Sequence, residues 1–171
     1  MSQIKVDSIV PSGGLPAGAS GGIIQCRTIT KTDTFTTTNA TFTDVTGLSL
    51  SITPQSSSNK ILVVTNIHFG CTNSQNAMCK LVRGSTDICI GDAAGNRTQC
   101  TGFQVSSFDN DPTMVSLSFL DSPATTSSTT YKWQVRRASG GTCAVNRGGG
   151  DSDVSNNFRT ASTITLLEIS G

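Results

Sequence analysis

The chain is short of charge. Only 13% of its 171 residues are Asp, Glu, Lys or Arg, where globular proteins carry about 25%. Glutamate is nearly missing: Glu168 is the single one among eleven acids, and lysine supplies five of the twelve bases. The solvent faces of helices are built from Glu, Lys, Leu and Ala. A helical bundle or an α/β nucleotide-binding fold is therefore excluded. A net charge of +1 leaves no basic footprint, so nucleic acid is not an expected partner. Long apolar runs are missing as well. The longest has four residues, against the roughly 18 of a membrane span, and membrane insertion is not expected. Met1–Val10 has no apolar stretch of the secretory kind, so synthesis and assembly in a reducing cytoplasm are expected.

Chemistry is equally sparse. The only histidine, His68, sits inside an apolar run, and no G-x-S-x-G elbow exists. A Ser–His–Asp site is thus unsupported, and His68 reads as a structural or interface residue. Asp109-Asn-Asp111 and Asp151-Ser-Asp153 have the look of cation ligands, but neither continues to a late glutamate. They read as turn residues. The glycines at 13, 14, 18, 21 and 22 have no following Gly-Lys-Ser/Thr, so no phosphate loop is present. Six cysteines, at 26, 71, 79, 89, 100 and 143, include no C-x-x-C pair, which argues against structural zinc. They are expected to be thiols, mostly buried as small apolar residues and dispensable for folding. Pairing after release from the cell is the alternative. No catalytic residue, metal site or cofactor is expected, and the chain reads as non-enzymatic.

What is abundant is serine (23), threonine (25) and glycine (17), the residues of strands and turns. β-prone runs occupy 23–31, 33–37, 41–46, 48–53, 60–69, 77–83, 86–90, 113–121, 130–138, 142–147 and 160–169. Tyr131, Trp133 and Val135 alternate with Lys132, Gln134 and Arg136, which marks a strand with one wet face. Val115, Leu117 and Phe119 alternate in the same way. The runs at 60–69 and 162–169 carry apolar residues on both faces, as if between a core and a subunit contact. So many short strands with Gly, Ser and Asn turns predict an all-β fold, a β-sandwich or jelly roll.

Residues 1–22 stand apart from this head at 23–171. Pro11–Gly22 has five glycines and two prolines in twelve residues, a linker composition. Before it, Ile4, Val6, Ile9 and Val10 are apolar with no local core to enter. They read either as a disordered terminus or as an anchoring arm that adds a strand to a neighbour. The segments 91–102 and 147–157 are the long loops. Their polar residues, Asp92, Asn96, Arg97, Gln99, Arg147, Asp151, Asp153 and Asn156, are candidates for contact with another molecule at one end of the sandwich.

Particular motifs point further. Lys5-Val-Asp-Ser-Ile9 precedes the Gly-rich spacer. Thr43-Asp-Val-Thr-Gly-Leu-Ser-Leu-Ser-Ile-Thr-Pro-Gln-Ser-Ser-Ser-Asn-Lys-Ile-Leu62, Phe119-Leu-Asp-Ser-Pro-Ala-Thr-Thr-Ser-Ser-Thr-Thr-Tyr-Lys132 and Ser162-Thr-Ile-Thr-Leu-Leu-Glu-Ile169 follow. In these stretches the chain resembles virion fibre- and decoration-type structural proteins of marine tailed phages, including those of cyanobacteria. The resemblance implies a virion component: a homotrimer with a head like the tumour-necrosis-factor and complement jelly rolls, attached by its N-terminal arm to a capsid or tail protein. Without a coiled coil or collagen-like repeat, a short fibre, a knob or a capsid decoration protein suits the length better than an extended tail fibre. The alternatives are a host-receptor adhesin that reads a cell-surface glycan or protein through its distal loops, and an envelope-sugar depolymerase.

Overall fold

The computed structural model describes residues 22–72, 75–105 and 112–171. The anchoring candidates Ile4, Val6, Ile9 and Val10, and the Asp109-Asn-Asp111 motif, lie outside the described residues. Eleven strands make up the described fold: β1 Ile23–Lys31, β2 Phe35–Thr37, β3 Thr43–Ile52, β4 Lys60–Cys71, β5 Ala77–Arg83, β6 Thr86–Ile88, β7 Gly102–Gln104, β8 Thr113–Asp121, β9 Thr129–Arg137, β10 Cys143–Val145 and β11 Ser162–Ile169. All pairings between them are antiparallel.

The pairing is nested. β1 pairs with β11, β3 with β9, β4 with β8, and β5 with both β6 and β7. Successive levels of this long ribbon fall in alternate sheets. One sheet runs β1-β11-β4-β8, extended by β10 and β2 beside the upper part of β4, and the other runs β3-β9-β5-β6 with β7 also on β5. That order, first strand beside last with the halves rolled over each other, is a jelly roll. The all-β expectation holds.

Period-2 alternation decides which side chains enter the core. Ile61, Val63, Thr65, Ile67 and Phe69 of β4 and Ile164 and Leu166 of β11 face Tyr131, Trp133 and Val135 of β9, and all are buried. Trp133 is therefore a core residue, as the alternation indicates. The run at 60–69 continues to Cys71. The two runs at 41–46 and 48–53 are one strand, β3, broken by an irregularity between Asp44 and Ser49. Gly47 lies there at φ +80°, a conformation open to glycine and costly for residues with a Cβ. The run at 33–37 shortens to Phe35–Thr37, and β7 lies where no strand is expected. Its three residues pair with Ala77–Cys79, a non-local contact that pattern alone does not reveal.

Polar side chains tie the sheets together. Asp121, at the end of β8, accepts from Arg83 Nη1 at 2.7 and 2.8 Å and from the Tyr131 hydroxyl at 2.6 Å. Both donors belong to the opposite sheet. Burial, with the neighbouring Asp121 carboxylate, pushes the Tyr131 phenol far above its ordinary value. The Trp133 indole donates to Thr65 Oγ1 at 2.8 Å, and that hydroxyl donates to the Thr163 carbonyl at 2.6 Å. Glu168 is fully buried. It accepts from the Gln55 backbone and from Asn59 Nδ2, each at 2.6 Å, and closes the turn before β4.

The cysteines require a correction. All six are thiols, but only Cys71, Cys79 and Cys143 are buried, whereas Cys100 is half-buried and Cys26 and Cys89 are exposed. Cys26 lies on the outer side of β1, and Cys89 follows β6 in a left-handed conformation at φ 53°.

Candidate functional site

The two sheets present unlike faces to solvent. Outside β3-β9-β5, charges are paired within the chain. Lys132 meets Asp44 at 2.7 Å, and Lys80 meets Asp87 at 2.7 Å. The Phe42 ring lies under Lys80 Nζ at 4.6 Å and near Arg136 at 5.7 Å. Burial opposes ionisation of Asp44, but hydrogen bonds from Lys132 and Gln134 outweigh it and hold the carboxyl below its ordinary value. This face is finished for water.

The outer face of β8-β4-β11-β1 is different. Strand register aligns its side chains in rows: Leu120, Leu62, Leu167 and Cys26; then Ser118, Val64, Thr165 and Thr28; then Ser116, Asn66, Thr163 and Thr30. None of these is charged. Leu120 is 52% exposed and Val64 is 42% exposed. His68 and Met114 continue the face above, and Lys60 stands at its lower margin, donating to Ser122 at 3.1 Å. At strand and residue spacings of about 4.8 and 3.4 Å the rows cover roughly 400 Å². An uncharged, partly apolar face of that size is a candidate interaction surface, and charge is depleted at interface centres in general.

The sequence-named loop residues fall elsewhere. Asp92, Asn96, Arg97 and Gln99 are exposed on the β6–β7 connection. Gln99 Nε2 donates to the Gly91 carbonyl at 2.6 Å and Arg97 Nη1 to the Ala94 carbonyl at 3.3 Å, so both close their own loop. Asp153 and Asn156 are exposed on the β10–β11 connection. Asp151 is held between Arg147 and Arg159, and Arg147 Nη1 also donates to the Gly149 carbonyl at 2.9 Å. The two loops leave strands of different sheets. The first leaves the free side of β5 in one sheet, and the second leaves the β10–β11 junction beside β4 in the other. Gly149 of the second loop packs against Cys71 and Thr72 at the upper end of β4, while Gly22 sits at the lower end, where its carbonyl accepts from the Ser170 backbone at 2.9 Å. Among the described residues no cluster of three or more His, Cys, Asp or Glu is placed to hold a metal ion, and no helix is long and apolar enough to cross a membrane.

Sequence reasoning missed Asn146. This fully buried residue has φ 62°. Its Nδ2 donates to the Lys31 and Asp33 carbonyls, both at 2.9 Å, and its Oδ1 accepts from the Ser162 hydroxyl at 2.6 Å. Its backbone N–H donates to His68 O, and its carbonyl accepts from Thr160 N. One side chain thus joins the end of β1 to β10 and β11 and anchors the base of the long loop. An Asn ahead of three glycines is the available signal, because asparagine tolerates the left-handed region.

Comparison with known proteins adds little to this picture. In sequence, no family profile and no curated protein matches the chain. Among solved structures it is similar to a chain in the structure of infectious bursal disease virus Gt strain, with TM-score 0.45 and 12% identity over 97% of this chain and 44% of that one. A chain of the Gx strain structure gives TM-score 0.38 and 14% identity over 98% and 45%. This chain spans less than half the length of either of these two. The fold assignment rests on the strand order itself.

Proposed function

We propose that this protein is a non-enzymatic virion structural component: the head of a homotrimeric short fibre, knob or capsid decoration protein. The copies meet through the uncharged outer face of β8-β4-β11-β1, and residues 1–22 attach the head to a capsid or tail protein. The observation that carries the reading is the contrast between the two outer faces, one closed by ion pairs and the other without a charge in its rows. The phage-type motifs, which cover β3, the β8–β9 turn and β11, support the virion assignment. The sole glutamate is sequestered in the fold and Asp151 is occupied by two arginines, so neither reads as the general acid of a depolymerase. An adhesin role for the same head is favoured by the exposed, polar stretches at 91–99 and 151–156 of the two long loops.

The test uses a chain that starts at Gly21. It keeps the oligomeric state and Tm of the full protein but fails to join particles that lack the native one. Normal attachment of this shortened chain would place the contact on the head and refute the arm. Loss of folding would assign the N-terminal segment to the sandwich. Copy number per particle then separates the subtypes: multiples of tail symmetry fit a fibre or adhesin, and hundreds of copies fit decoration.

A further inference from the structure

Cys71 and Cys143 lie directly opposite each other across β4 and β10. On either side of them, Thr72 N donates to Thr142 O at 3.0 Å and Asn146 N to His68 O at 2.9 Å. Hydrogen-bonded positions alternate along such a pair, so Cys71 and Cys143 occupy the non-hydrogen-bonded position between. There Cα atoms approach to about 4.5 Å, within the reach of a disulfide. Both side chains point to the same side and are buried, at 1% and 0% exposure. We infer that this pair is a built site for a cross-strand disulfide, closed when the folded protein meets a small-molecule disulfide oxidant. The inference stands apart from the virion assignment.

Access is set by a light cover. The Cys71 thiol donates to the Gly140 carbonyl at 3.9 Å, and a Cβ on Gly141 would come within 3.4 Å of its sulfur. Ser139 and Gly140 are exposed, so this turn is the side from which an oxidant approaches the pair. Burial pushes the Cys143 thiol up to about 12, and reaction therefore proceeds from the opened form. With oxidised glutathione, one cysteine thiolate attacks a glutathione sulfur and releases the first glutathione thiolate, leaving a mixed disulfide. The second cysteine thiolate attacks the protein-side sulfur and releases the second. Two protein thiols become one disulfide, oxidised glutathione is reduced to two thiols, and the two protons end on them.

The full-length protein, incubated with oxidised glutathione and digested without reductant, is expected to yield a Cys71–Cys143 linked peptide. The bond closes a loop of about 70 residues, and Tm should rise by about 10 °C over the reduced protein. Cys143→Ser should abolish both the peptide and the rise, while Cys89→Ser should keep them. If Cys143→Ser does not fold, peptide mapping of the wild-type protein decides alone. Oxidation that links Cys79 instead, leaves the pair reduced, or forms the bond without raising Tm would overturn the inference.

Discussion

Replacement of Asn146 by alanine is expected to lower Tm by about 8–16 °C, from a destabilisation of about 4 kcal/mol in a domain of this size. The substitution removes two donations to the Lys31 and Asp33 carbonyls and the acceptance from Ser162. Each bond contributes about 1 kcal/mol net, and the partners left buried without replacement cost more. Alanine at φ 62° adds a backbone cost of about 1–2 kcal/mol. Asn146→Gly separates the two contributions, because glycine retains the left-handed backbone and still loses every side-chain bond. The glycine variant should recover about 1 kcal/mol relative to alanine in urea unfolding. Equal stability of the alanine variant and the wild type would show that the hub does not hold the β1, β10 and β11 ends together.

The second large effect is expected at Asp121. Removing one partner of a buried ion pair costs about 3–5 kcal/mol. The Arg83 side chain is a quarter exposed and can turn toward water, so Asp121→Ala should fall near 3 kcal/mol, the low end. Tyr131→Phe, which removes one hydroxyl donor from the same carboxylate, should cost only about 1 kcal/mol. Guanidinium unfolding of both variants tests the ranking. If Tyr131→Phe proves the more damaging, the buried hydroxyl, and not the Arg83–Asp121 ion pair, is what joins the sheets at this end.

These two residues also show where sequence reading succeeds and stops. Alternation along 131–135 and 115–119 sorts core from surface because one sheet face is dry and the other wet. That is a local property with a period of two. The same alternation failed to unite 41–46 with 48–53, because the irregularity at Gly47 shifts the period within a single strand. Apolar residues on both sides of 60–69 and 162–169 were legible, and register gathers their outer members, Leu62, Val64, Leu167 and Ile169, on one face with Leu120. Asn146 and Asp121 look like ordinary turn and strand-end residues in sequence. Their partners lie 113 to 115 positions away for the Asn146 donations and 38 for the Arg83–Asp121 pair, and only the rolled ribbon brings them together. The long loops were legible as loops, but the sheet each one leaves depends on long-range strand pairing.

The central claim is that copies of this protein bury the uncharged face of β8-β4-β11-β1. Sedimentation equilibrium at micromolar protein tests it most directly, on the wild type and on two single charge insertions. Val64→Glu places a carboxylate in the middle row of that face, and Ser49→Glu places one beside Lys132 on the opposite sheet. The wild type and Ser49→Glu are expected at three times the chain mass of 17.8 kDa, and Val64→Glu at the chain mass with its fold intact by circular dichroism. A wild type that sediments at the mass of one chain, or a Val64→Glu variant that remains a trimer, would contradict the account.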